Sequence, residues 1–232
     1  MTSDLPAGLS KPALRALTAA GYTRLEQLTK LSEAEVKRLH GMGPRALDLL
    51  RRALAADGRS FLEPKVEVRA EQPYAAIPIK VTLKEWGRAN ALVGEVIGWL
   101  SRQGIEFAGA PFFRYWTIGD MDREFDLEVG VPVASVVSGD GRVIAGFIPS
   151  GSYATMVHFG HPDRLAESLE ALQEWGTRQG LEWNSRGEVW GGRFEFYLTN
   201  PAEQPDLEKW SIEIAYQVRD NSARRETNRP RR

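Results

Sequence analysis

The apolar residues of this chain keep two different periods, and the change of period divides it. From residue 10 to residue 58 they recur every three or four positions, which predicts helices. "SKPALRALTAAG" (10–21) sets Leu14 and Leu17 on one face and stops at Gly21. "RLEQLTKL" (24–31) follows. "SEAEVKRLH" (32–40) has Ser32 at the N-cap and Glu35 three residues on, a capping-box pattern. "GPRALDLLRRALAADG" (43–58) carries Leu47, Leu50 and Leu54 at helical spacing and stops at Gly58.

Beyond residue 62 the pattern is built twice. Prolines at 64, 73 and 78 mark a linker that runs into a strand. "LKEWGRANALVGEVIGWLSRQG" (83–104) reads as an amphipathic helix. An aromatic strand, "FFRYWTI" (112–118), and an alternating one, "FDLEVGVPV" (125–133), come next. The same order returns: a strand at "GSYATMVHFG" (151–160), a helix over 162–180, and strands at 188–198 and 210–218. "FEFYLTN" (194–200) echoes the first aromatic strand, and "WSIEIAYQV" (210–218) echoes the second. Both helices end alike, in "WLSRQG" and "WGTRQG". Such self-similarity means one supersecondary unit used twice. The predicted fold is α+β: two strand–helix–strand–strand repeats forming an antiparallel sheet with a ligand groove, after a small all-α domain. The predicted domains are 1–61, a linker over 62–73, 74–218, and a basic, disordered tail over 219–232.

Strand parity then sorts the side chains. In "WSIEIAYQV" the face of Trp210, Ile212, Ile214 and Tyr216 covers a helix, and Glu213 faces away. In "FDLEVGVPV" Glu128 faces away in the same sense. With Phe194 and Phe196 packed on a helix, Glu195 and Tyr197 join Glu128 and Glu213 on the helix-free face. Matching Tyr115 to Tyr197 puts Phe113 opposite Glu195. The candidate groove is therefore Glu195, Tyr197, Phe113, Tyr115, Glu128 and Glu213. Gly130 and Ala215 leave room there for a planar molecule. Tyr153 either lines the groove or sits in the sheet core, and is counted with the groove; Trp190 caps the ligand. Carboxylates between aromatic rings suit a bulky, flat or cationic molecule. The alternative is the solvated outer face of an antiparallel sheet.

Composition narrows the chemistry. The chain has 232 residues, 42% of them hydrophobic, and no cysteine, so disulfide and thiolate chemistry are excluded. No apolar run approaches the roughly 18 residues of a membrane span, and no signal-peptide pattern opens the chain, so the cytoplasm is the expected location. All seven tryptophans follow residue 85. The net charge of −1 hides a segregation: about +4 over 1–62, about −9 over 63–218 and about +4 over 219–232. His158 and His161 have no third ligand, so neither a metal nor a cofactor is expected.

In the first domain, "LHGMGPRAL" (39–47) closely resembles the helix-hairpin-helix signature. Gly41 and Gly43 permit a tight turn. Amides at the start of the next helix can hold a phosphate oxygen, and Lys37, Arg45 and Arg51 add charge. Residues 5–61 are similar to the C-terminal domain of the bacterial RNA polymerase alpha subunit. That resemblance implies contact with a DNA backbone or with another protein; a merely compact turn is the plain alternative.

The two-repeat segment, on "GSYATMVHFG", "RFEFYLTN" and the paired strands "FDLEVGVPV" and "WSIEIAYQV", resembles the GyrI-like small-molecule-binding domain. The resemblance implies an effector domain of the kind found in multidrug-sensing transcription regulators, where a glutamate among aromatics meets lipophilic cations. The matching residue here is Glu195. Some stand-alone members hydrolyse cyclopropane-bearing toxins with glutamate and aromatic side chains. Two readings follow for the groove. The first is a binding protein for a hydrophobic, cationic or planar small molecule. The second is a hydrolase in which Glu195 acts with Tyr197 or Tyr115. A third possibility is a nucleic-acid-associated adaptor working through residues 1–61.

Overall fold

The computed structural model describes residues 4–57, 59, 61 and 63–220. The chain opens with helices α1 (Lys11–Ala19), α2 (Leu25–Leu28), α3 (Glu33–Arg38) and α4 (Pro44–Ala56). Ser10 caps α1 by accepting the Ala13 amide at 3.3 Å. Ser32 and Glu35 form the capping box that their spacing predicts, each side chain accepting the other's backbone N–H. Leu17, Leu28, Val36, Leu47, Leu50 and Leu54 close a separate small core. The buried pair of α1 is Ala13 and Leu17, four residues apart; Leu14, expected beside Leu17, points to solvent. Helix α4 ends at Ala56 over the cap residue Asp57. Gly58, read as its stop, lies outside the described residues.

The rest is one α+β unit. Its strands are β1 (Lys65–Arg69), β2 (Gln72–Val81), β3 (Phe112–Tyr115), β4 (Phe125–Pro132), β5 (Ile144–Ile148), β6 (Gly151–Phe159), β7 (Ser185–Arg186), β8 (Val189–Trp190), β9 (Arg193–Tyr197) and β10 (Ser211–Gln217). Helices α5 (Trp86–Gln103) and α6 (Leu165–Arg178) follow β2 and β6. Eight strands make one antiparallel sheet in the order β1-β6-β10-β9-β3-β4-β2-β5, and β7 pairs with β8 apart from it. The two repeats are β2-α5-β3-β4 and β6-α6-β9-β10. They meet edge to edge at the β3–β9 seam, where Phe113 pairs with Glu195.

Two expectations need correction here. Residues 65–69, assigned to a linker, form edge strand β1 and pair with β6 from Lys65↔Thr155 to Arg69↔Gly151. Their alternation, Lys-Val-Glu-Val-Arg, is strand-like, and Pro64 only delays its start. Arg219, the expected first residue of the disordered tail, is instead tied back: its amide donates to Glu182 O at 2.7 Å. From residue 221 that tail lies outside the described residues.

Both helices cover the same face of the sheet. Helix α5 buries Leu92, Val96 and Leu100 against Ile77, Phe113, Leu127 and Val129. Helix α6 buries Ala171 and Leu172 against Met156, Ile212, Ile214 and Tyr216. Between them the middle strands β9 and β3 form the floor of a groove. The first helices touch this unit at α6: Arg38 pairs with Glu167 (3.3 Å) and Glu170 (3.2 Å), and Ser168 Oγ donates to Glu35 at 3.3 Å. Among the described residues, no helix is long and apolar enough to cross a membrane.

Candidate functional site

Register decides which side chains share the groove. Glu195 pairs with Phe113 on β3 and with Ile214 on β10. Directly opposed residues point to the same side of a sheet. Phe113 belongs to the α5 core and Ile214 to the α6 core. Glu195 therefore lies on the helix-bearing face, between the two helices, and Arg193 and Tyr197 flank it by strand parity.

The carboxyl of Glu195 is 3% exposed. Tyr115 donates a hydrogen bond to it at 2.9 Å. Burial pushes its pKa up to about 7, although the Tyr115 hydrogen bond and the charge of Arg193 pull it down. Burial, then the charge of Glu195, raise the Tyr115 and Tyr197 hydroxyls well above the usual phenol range. Rings surround this polar centre. Phe113 meets Trp86 at 5.0 Å and Tyr197 at 5.2 Å, and Trp86 stacks on Tyr115 at 6.3 Å. On the α6 side Trp190 lies 5.5 Å from Tyr216 and 6.4 Å from Trp183. The guanidinium of Arg193 sits over Tyr216 (4.5 Å), Trp190 (4.9 Å) and Tyr115 (5.8 Å).

Of the expected groove residues, the structure brings together Glu195, Tyr197, Phe113, Tyr115 and Trp190. It separates Glu128, Glu213 and Tyr153, which point to the opposite face. Glu128 and Glu213 lie on the helix-free face, as the parity of their strands predicts; Glu195 does not, because its expected place there rests on packing Phe194 and Phe196 against a helix. Instead those two rings stack on each other at 5.6 Å and pack with Phe112 and Tyr153 on the helix-free side. That side has an apolar core of its own, so a large ring there needs no helix over it.

Glu128 is bound within that second layer. Tyr74 donates a short hydrogen bond to it, and Arg114 Nη1 lies 4.0 Å away while donating to Tyr74 Oη at 2.6 Å. Glu213 pairs with Arg69 at 2.9 Å. Tyr153 is fully buried and donates to Pro149 O at 2.8 Å. The room expected at Gly130 is taken: a methyl group there would come within 2.6 Å of Phe112 and 2.9 Å of the Ala75 carbonyl. Ala215 is buried in the same layer.

Sequence reasoning missed Arg193, Trp86 and Tyr216. The signal was present in "RFEFY", where Arg193, Glu195 and Tyr197 share one parity. Two open cavities, of about 470 and 380 Å3, lie elsewhere. One is beside Trp99, Ile105 and Val137; the other is on the helix-free face, beside Arg69, Pro132 and Phe196. Neither is lined by Glu195, which its own neighbours cover.

In the helical region, Gly41 takes φ +96° between α3 and α4, and an added Cβ would press on Pro12 at 3.1 Å. Gly43 is the N-cap of α4 with open space around it. Lys37 and Arg45 are exposed. Arg51 is held by Glu33 at 2.6 Å and lies 3.7 Å from Asp48.

No curated protein matches the chain. Among solved structures, the crystal structure of the EcmrR C-terminal domain is similar at 17% identity and a TM-score of 0.58, covering 68% of this chain and 98% of that one. A cryo-EM structure of an EcmrR–DNA complex is similar at 14% identity and a TM-score of 0.60, covering 92% of this chain and 78% of that one. The structure of SAV2435 bound to tetraphenylphosphonium is similar at 15% identity and a TM-score of 0.51, covering 71% of this chain and 99% of that one. At these identities the likeness is one of fold. The model of the GyrI-like small-molecule-binding domain matches residues 62–219, and the chain belongs to that family.

Proposed function

We propose that this protein binds a hydrophobic, planar or cationic small molecule in the groove between α5 and α6, with Glu195 at its floor. The observation that carries the reading is a carboxyl 3% exposed, ringed by Phe113, Tyr115, Tyr197 and Trp86 in a domain of a small-molecule-binding family. A buried carboxyl is costly to keep unless it serves a site. Glu195 is covered by its own neighbours, so a ligand enters only where covering side chains move. SAV2435, a protein of similar fold, was solved with a lipophilic cation bound.

A second reading has one observation in its favour. A carboxyl with a pKa of about 7, held by Tyr115, is suited to general acid–base work near neutral pH. Hydrolysis of a strained, electrophilic ring fits it, with Glu195 taking the proton from an attacking water. For residues 4–57 we propose an accessory contact, with a DNA backbone or a protein, through Lys37 and Arg45 at the α3–α4 turn.

Calorimetric titration of wild type and Glu195→Gln with tetraphenylphosphonium and with neutral triphenylphosphine oxide tests the binding reading. The substitution is expected to weaken the cation at least fivefold more than the neutral compound. Equal loss of both would remove Glu195 from ligand recognition. Turnover of a cyclopropane electrophile, abolished in Glu195→Gln, would replace binding by catalysis.

A further inference from the structure

We infer that Arg193 decides ligand class in this groove: it already occupies the cation seat, so the site takes planar aromatic molecules bearing an anionic group in preference to permanent cations. The inference rests on the binding reading above, keeps its groove and its planar aromatic ligand, and replaces its cationic option.

The guanidinium of Arg193 is packed over three rings, at 4.5 Å from Tyr216, 4.9 Å from Trp190 and 5.8 Å from Tyr115. An aromatic box of this kind is what a ligand cation would seek. Here the box is filled from within, by the residue two positions before Glu195 on the same strand face. Arg193 is 7% exposed, and its Nε–H has no hydrogen-bond acceptor. Among the described residues it has no carboxylate within ion-pair distance. The two other buried or half-buried arginines of the sheet have polar partners that Arg193 lacks, although the Arg114 Nε–H is also without an acceptor. Arg69 holds Glu67 and Glu213, and Arg114 donates to Tyr74, Phe147 and Gly191 while lying 4.0 Å from Glu128.

A buried guanidinium with an unmet donor is costly, and an arriving anion removes that cost. Arginine receives a planar carboxylate or sulfonate through paired N–H donors, which fixes orientation as well as charge. The rings beside it would sandwich the aromatic body of the same ligand. A permanent cation meets the reverse. It must dislodge Arg193 from its rings or lie against a like charge in a place with little water. Glu195 does not restore the preference for cations, because it balances Arg193 only when ionised.

The test uses the full chain and two probes that share a naphthalene body, 2-naphthoate and the trimethyl-(2-naphthyl)ammonium ion, followed by quenching of tryptophan fluorescence and by calorimetry. Wild type is expected to bind the naphthoate at least tenfold more tightly. Arg193→Met is expected to reverse that order, and Arg193→Lys to keep its sign with a smaller ratio. The wild-type ratio stands even where Arg193→Met fails to fold. A wild type that prefers the ammonium probe, or a ratio unchanged in a folded Arg193→Met, overturns the inference and leaves the groove as a binding site. Binding of neither probe by any of the three proteins overturns the binding reading and this inference with it.

Discussion

Tyr115 and Glu195 are joined by a 2.9 Å hydrogen bond across the seam between the two repeats. They come from corresponding stretches of the two halves, so the duplication itself assembles the polar centre of the groove. Phe113 and Glu195 are equivalent positions in the repeats; one half supplies a ring where the other supplies an acid. The seam strands are flanked by helices but not covered by them, and this leaves the centre to be closed by side chains alone.

The raised pKa of Glu195 makes a stability prediction. Its pKa rises from an ordinary 4.5 to about 7 in the folded protein. Between those values the folded state holds a proton that the unfolded state has released. The contribution of the protonated carboxyl is fully present below pH 4.5 and is lost as pH rises through about 7. The shift corresponds to about 3 kcal/mol. Glu195→Gln, which stays neutral, is therefore expected to be more stable than wild type at pH 8 and nearly equal to it at pH 4.5. Urea unfolding at the two pH values measures this. The same difference between the proteins at both would mean that Glu195 is not the titrating group.

The helical region gives a salt prediction. Arg51 is committed to Glu33 and Asp48, whereas Lys37 and Arg45 are exposed on either side of the glycine turn. Each phosphate contact contributes about one unit to the slope of log affinity against log salt. Lys37→Glu with Arg45→Glu in the full chain is expected to lower that slope by about two, read by fluorescence anisotropy with duplex DNA. Arg51→Ala is expected to leave the slope unchanged. A wild-type chain that shows no DNA binding at about 50 mM salt assigns the turn to a protein partner or to packing alone.

Much of the α+β unit could be read from alternation and repeats, because the period of 2 and its echo are local signals. The pairing of Phe113 with Glu195 was legible for the same reason: the repeats align Tyr115 with Tyr197. Which face Glu195 takes was not legible. Parity gives two sets of residues per strand and does not say which set meets the helices. For β4 and β10 the apolar set was the helix side. For β9 the more polar set, Arg193, Glu195 and Tyr197, is the helix side, and its phenylalanines fill a second apolar layer. A sheet with apolar residues on both faces breaks the rule that one face is solvated. Glu128 and Glu213 were lost from the groove by that inversion. Arg193 was missed because an arginine in a strand is ordinarily read as solvent-facing.

The contact between the helical region and the second repeat turns on Glu35. Its Oε2 accepts the Ser32 amide at 2.6 Å and the Ser32 hydroxyl at 2.8 Å, closing the α3 cap. Its Oε1 accepts the Ser168 hydroxyl at 3.3 Å, and Ser168 Oγ lies 2.9 Å from His158 Nδ1. Burial holds the His158 imidazole below its ordinary pKa, although its hydrogen bond to the His161 carbonyl and the charge of Glu35 work against that shift. One carboxylate thus serves both a local cap and a contact between distant parts of the chain. Glu35→Ala is expected to cost about 1–2 kcal/mol, most of it from the cap. Ser168→Ala removes the cross-contact and leaves the cap intact. A double-mutant cycle on thermal or urea unfolding is expected to give a coupling of at least about 0.5 kcal/mol. Strict additivity would mean that Glu35 stabilises α3 alone. Coupling that vanishes when Arg38→Ala is added would instead give the contact to the Arg38 pairs with Glu167 and Glu170, which flank Ser168 on the same helix.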